Sequence, residues 1–177
     1  MRVGDAICQK GRLMTITHQA LKEWLSYDPE TGVFRWLKDK RGRGRMWKAG
    51  DAAGYETQTA VCICLMGRYY YAHRLAWFYV HGEWPKQQID HINGEWRDNL
   101  LSNLRDVPPR VNMENMRFAR KTSRSGLIGA FKHSVSGWFS AIQVHGKMHR
   151  LGHFKTPQEA HEAYIAAKRV LHEGCTL

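Results

Sequence analysis

The sequence predicts an α+β protein built from small antiparallel sheets, each paired with a single helix. Three observations predict this class. Apolar residues alternate in short runs that are closed by tight turns such as Gly67-Arg68, Ser136-Gly137 and His145-Gly146. Apolar residues at helical spacing are confined to isolated segments, notably 72–81 and 157–171. Between them, residues 89–117 (IDHINGEWRDNLLSNLRDVPPRVNMENMR) read as strand, polar loop, strand and helix.

Taken in order, Thr17 is the N-cap of a short helix reaching Ser26, with Leu21, Trp24 and Leu25 on one face. Asp28-Pro29-Glu30-Thr31-Gly32 turns the chain, and Val33 to Trp36 form a strand. From Arg35 to Lys48 there are seven Lys or Arg against one Asp, interrupted by glycines and flanked by Trp36 and Trp47. Such a loop suits phosphate contact and base stacking, and equally suits a solvated surface. Val61–Met66 and Tyr69–Tyr71 form a hairpin. Cys62 and Cys64 alternate within it as strand residues. Ala72, Leu75, Ala76, Tyr79 and Val80 then mark a helix that Gly82 ends. His73, at its start, is either a buried structural histidine, the favoured reading, or a group over a site; Trp77 and Trp84 read as core.

The central stretch carries the chemistry. Asp90 and His91 sit side by side on a short strand, Asn93-Gly94 breaks it, and a second strand runs from Leu104 to Val107. Pro108-Pro109 stops that strand and opens a helix bearing Asn112 and Asn115. A carboxylate and an amide oxygen that leave most of a coordination shell to water and substrate suit Mg²⁺ or Mn²⁺. An imidazole titrating near neutrality is able to take a proton from water.

Asp90-His91, Asn103 in Asn103-Leu104-Arg105, and Asn112 resemble the HNH nuclease family in the branch whose final metal ligand is Asn. The run His73-Arg74-Leu75-Ala76-Trp77 and the Asp-His-Ile-Asn-Gly stretch look like phage and bacterial homing-type HNH endonucleases. The resemblance spans roughly 60–118 and departs from the family in a bulkier loop, with Trp96 and Leu100-Leu101. It implies a ββα-metal core with His91 as general base and Asp90 plus Asn112 as ligands of one divalent ion. It makes Asn103 the residue that fixes the loop and the base.

Beyond this core, residues 118–125 (FARKTSRS) are basic and lack periodicity, as expected of a linker lying along a phosphate backbone; Arg120 and Lys121 within it, and Arg117 just before it, are candidate DNA contacts. Strands follow at Ile128–Lys132, Trp138–Val144 and Met148–Phe154. In the middle one Trp138, Ser140, Ile142 and Val144 share a face. The last helix has Thr156 as cap, Pro157 first and Glu159 closing a capping box. Its apolar stripe is Ala160, Ala163, Tyr164, Ala167, Val170 and Leu171. Ser125-Gly126, Gly129, Trp138, Ala141-Ile142, Leu151-Gly152-His153-Phe154 and Glu159-Ala160 with Ala163-Tyr164 and Ala167 resemble the DNA-binding domain of plant ethylene-response factors, also appended to phage HNH nucleases. The resemblance implies a free sheet face in the major groove, with Lys132, Lys147 and Arg150 as candidate contacts.

The expected organisation is thus an N-terminal region 1–58, a nuclease core 59–118, a linker 119–125 and a small sheet-plus-helix domain 126–177. A net charge of +11 over 177 residues points to double-stranded DNA as partner. With no long apolar run and no apolar signal core before Met14, the expected setting is the cytoplasm of a bacterium or phage-infected host, without membrane association. Cys8, Cys62, Cys64 and Cys175 contain no Cys-x-x-Cys pair, which disfavours structural zinc. The sequence leaves monomer and homodimer both open, and the competing function is a non-catalytic DNA-binding regulator on the same scaffold.

Overall fold

The computed structural model describes residues 16–42 and 44–177. Cys8, the expected start at Met14, and Arg43 of the basic loop lie outside the described residues. The chain forms two compact units: residues up to 91 with 95–106, and residues 92–94 with 107–177. The architecture is mixed α+β, with several small antiparallel sheets, as the sequence predicts.

The first unit opens with α1 (His18–Trp24), capped where expected: the Thr17 hydroxyl accepts from the Ala20 amide at 3.1 Å. The helix is shorter than the apolar spacing predicts. Leu25 to Asp28 extend instead as β1 and pair with β2 (Val33–Trp36), Leu25 facing Trp36. Pairing with a neighbouring strand overrides weak helical propensity at Leu25-Ser26-Tyr27, a choice that local spacing does not encode. The short strands β3 (Lys40–Arg41) and β4 (Met46–Trp47) form a ribbon in the basic loop. Of the two readings of this loop, base stacking meets an obstacle in the indoles' own neighbours. Trp36 is 2 % exposed, Lys40 Nζ lies 4.2 Å from its ring centre, and Arg45 lies 5.2 Å from that of Trp47. The loop's own cations cover its indoles.

A further sheet joins β5 (Tyr55–Glu56), β6 (Val61–Leu65) and β7 (Arg68–Tyr71), and α2 (Ala72–His81) follows directly. Gly82 ends α2 in the left-handed conformation at φ 74°, which glycine adopts without penalty. Leu21, Leu25, Phe34, Trp36, Ile63, Leu65, Leu75, Ala76 and Phe78 close one core, with Trp77 and Trp84 packed against it. Ile89 of β8 (Gln88–His91) and Leu104 of β9 (Leu104–Val107) join the same core, so the strand bearing Asp90 and His91 is anchored by burial of its neighbour.

The second unit holds α3 (Pro109–Glu114) and a three-stranded sheet of β10 (Ala130–Lys132), β11 (Trp138–Val144) and β12 (Lys147–Phe154), on which α4 (Pro157–Leu171) packs. The expected linker at 119–125 falls inside this unit. Thr156 and Glu159 form the capping box reciprocally. Gly129, at φ 74°, lies under the Tyr164 ring, where a Cβ would overlap the aromatic carbons. The stripe on α4 is rotated from the expected one. Val170 is 82 % exposed and Leu171 is exposed, whereas Lys168 is buried and donates through Nζ to the Met116 carbonyl. A lysine stem contributes apolar surface and its ammonium satisfies a carbonyl, so a charged residue wins the inward position.

Candidate active site

Within the first unit, β8 and β9 pair and bring Asp90 and His91 beside the loop that joins the two strands. Successive residues on a strand point to opposite faces, and the two side chains meet different partners. The Asp90 carboxylate is 5 % exposed, and its Oδ2 accepts from Arg105 Nε at 2.9 Å and Nη2 at 2.8 Å. Two charge-assisted bonds to one oxygen hold that carboxylate in a fixed orientation. Arg105 comes from β9 and received no role from the sequence.

His91 meets Asn99. Its Nε2 lies 3.2 Å from Asn99 Oδ1, and Asn99 Nδ2 donates to the Arg97 carbonyl at 3.1 Å. With the amide nitrogen spent on Arg97, the amide oxygen faces the ring and accepts from Nε2–H. The lone pair of the neutral imidazole therefore sits on Nδ1. Burial lowers the His91 pKa from its ordinary value, against the opposing influence of Asn99 and Asp90. The neutral, proton-accepting form is the one favoured at physiological pH.

The other face of the His91 ring is set by His73. The two ring centres are 5.2 Å apart, edge to face, and Tyr71 stacks on His73 at 5.5 Å. Burial, with added repulsion from His91 and Arg74, pushes the His73 pKa down to about 3. The favoured reading of His73 as a buried structural histidine agrees with this position, and the same residue also packs against the proposed base.

Asn103 donates through Nδ2 to the Asp98 carbonyl at 2.8 Å, a bond that closes the loop. The loop also rests on the hairpin of β1 and β2. Tyr27 donates its hydroxyl to the Asn99 carbonyl at 2.8 Å. Gly32, at φ 69°, approaches so closely that a Cβ would stand 2.6 Å from the Leu100 nitrogen. Asn99 is the residue that sequence reading missed. Its only signal was a second asparagine four positions before the motif asparagine, in a polar loop where asparagines are common.

The remaining candidates belong to the second unit. Asn112 is half-buried on α3, and Pro109 opens that helix as expected. Arg117 Nη2 donates to the carbonyls of Ile92 and Thr176, each at 2.9 Å, so its guanidinium serves as an internal tie. Arg120 and Lys121 are exposed outside regular structure. Phe131, Phe139 and His153 face one another across the three strands, opposite the side that carries Ser140 and Gly152. A register shift after Ser140 then pairs Ala141 with Arg150, and Arg150 lies 5.2 Å from the Phe139 ring centre. The same alternation turns Lys132 and Lys147 to the other side of the sheet, with Lys132 over Trp138 at 4.9 Å. Of the three cations expected on the free face, the register puts Arg150 there.

Among the described residues no group of three or more His, Cys, Asp or Glu side chains gathers in metal-ligating geometry. The donors expected for a metal are instead one carboxylate and one amide, both hard oxygens of the kind Mg²⁺ and Mn²⁺ take. No helix among the described residues is long and apolar enough to cross a membrane. No curated protein and no solved structure matches the chain. Residues 70–114 match the family model described as HNH endonuclease; this segment runs from the strand before α2 to the end of α3, contains Asp90, His91, Asn103 and Asn112, and so resembles a nuclease over that stretch.

Proposed function

We propose that the protein is a metal-dependent DNA endonuclease of the homing type found in phages and bacteria. The observation that carries this reading is the His91–Asn99 pair, which orients a half-buried imidazole whose pKa burial lowers, inside a segment that matches the HNH endonuclease family model. His91 takes a proton from the attacking water, which adds in line to the scissile phosphorus while the P–O bond to the 3′ oxygen breaks and that oxygen takes a proton from solvent. The products are a 5′-phosphate and a 3′-hydroxyl. Asn99 holds the imidazole, Asn103 holds the loop, and Arg105 holds the Asp90 carboxylate. One Mg²⁺ or Mn²⁺ ion, with Asp90 and Asn112 as its protein ligands, would supply charge stabilisation at the phosphate and the leaving oxygen.

Residues 126–177 serve in this reading as a DNA-binding module, with the sheet face of Phe131, Phe139, His153 and Arg150 toward the duplex. Arg120 and Lys121 contact phosphates, Lys132 and Lys147 lie on the side turned away from that face, and Arg117 keeps its internal role. The net charge of +11 supports a polyanionic substrate.

A plasmid cleavage assay tests the metal requirement. Excess chelator stops cleavage, and added Mg²⁺ or Mn²⁺ restores it. Cleavage that continues unchanged in chelator contradicts the assignment of Asp90 and Asn112 as ligands.

A further inference from the structure

The residues after α4 return to the segment that follows the proposed base. The Thr176 hydroxyl oxygen lies 2.6 Å from the Ile92 carbonyl oxygen and 2.6 Å from Asn115 Oδ1. Arg117 Nη2 donates to the Ile92 carbonyl and also lies 2.6 Å from the Thr176 hydroxyl. Ahead of Thr176, the buried Gly174 amide donates to Glu114 Oε2 at 3.1 Å. There is no room for a side chain at this glycine: a Cβ would run into the Val111 carbonyl and the Glu114 Cβ. Glu173 pairs with Arg110 at 2.7 Å, and Arg110 also pairs with Glu114 at 2.5 Å. Every one of these groups belongs to the second unit.

We propose that residues 173–176 form a latch on the short segment 92–94 that follows His91, with Thr176 as its key positioning residue. The latch acts at two places. It fixes the carbonyl of Ile92, the residue joined by a peptide bond to His91, and it clamps α3, which carries Asn112. A backbone carbonyl held by a guanidinium and a hydroxyl has little freedom to swing, so the Ile92–Asn93 peptide, one residue beyond His91, is set in one orientation. Nothing in the HNH match reaches this segment, because the match ends at residue 114. The inference rests on the nuclease reading for its catalytic consequence, although the contacts themselves do not.

The test compares Thr176→Val, which keeps the shape and removes the hydroxyl, with Thr176→Ser, which keeps the hydroxyl. Two readouts are taken on the full chain. Amide hydrogen exchange in the peptide covering residues 92–96 becomes about ten-fold faster in the Val variant and returns to the parent rate in the Ser variant. In plasmid cleavage, kcat falls about ten-fold in the Val variant while KM for DNA stays within about two-fold, and Ser restores kcat. Exchange and kcat both unchanged in Thr176→Val overturn the latch, as does a loss that Ser fails to rescue. If the parent protein cleaves no DNA, the nuclease reading falls, and hydrogen exchange alone then decides whether the latch exists.

Discussion

Asn99 and His73 bracket the imidazole of His91, one by a hydrogen bond to Nε2 and one by ring packing. Replacing Asn99 by Leu leaves the ring free to adopt either tautomer and to rotate. The expected result is a fall of about ten-fold in kcat with DNA affinity unchanged, the worth of about one hydrogen bond in the transition state. Single-turnover kinetics check it, and an unchanged rate contradicts the positioning role. Because burial lowers the His91 pKa, the base is neutral at lower pH than an exposed histidine would be. The acid limb of the rate profile therefore lies below the ordinary histidine value of about 6.5. His73 adds a stability effect of definite sign. Its folded pKa of about 3 lies below its unfolded value, so only the unfolded chain gains a proton as pH falls. Stability thus drops by about 1 kcal/mol per pH unit between roughly 6.5 and 3. Thermal unfolding against pH should show this slope, flattened in His73→Phe; an identical slope in the variant contradicts the burial of a neutral His73.

At the level of elements, the central stretch was largely legible. The Asn93-Gly94 break, the strand at Leu104–Val107 and the proline pair are short-range signals, and each lies where its chemistry requires. The capping box on α4 was legible for the same reason. Losing the Thr156 hydroxyl through Thr156→Ala should cost about 1 kcal/mol, read as a lower midpoint in denaturant unfolding. Elements set by distant partners were not legible. β1 exists because Leu25–Asp28 find β2, and the inward face of α4 is decided at Lys168 by the Met116 carbonyl 52 positions earlier. The hydrogen-bond partner of His91 was obscured similarly. The family resemblance gives Asn103 the role of fixing loop and base, while loop geometry, set by Tyr27 and Gly32 of a distant hairpin, brings Asn99 to His91 Nε2.

For the molecule as a whole, the +11 charge sets the expected mode of substrate capture. Binding to duplex DNA should weaken steeply with salt, by about 10³-fold between roughly 50 and 200 mM for a protein that neutralises six or more phosphates. Fluorescence anisotropy with labelled duplexes measures the slope, and a flat dependence contradicts phosphate-dominated binding. Composition conveyed this charge, and short motifs conveyed the chemistry. Neither conveyed that Thr176 bonds to Ile92, since a contact spanning 84 positions leaves no local pattern.

The most direct test of the assignment is plasmid cleavage by the parent protein and by His91→Ala, run side by side with Mg²⁺ and with DNA binding measured on both. The parent nicks or linearises the plasmid, while the variant binds DNA as the parent does and loses at least about 10²-fold in rate. Cleavage by His91→Ala at the parent rate would contradict the role given to the imidazole and the account built on it.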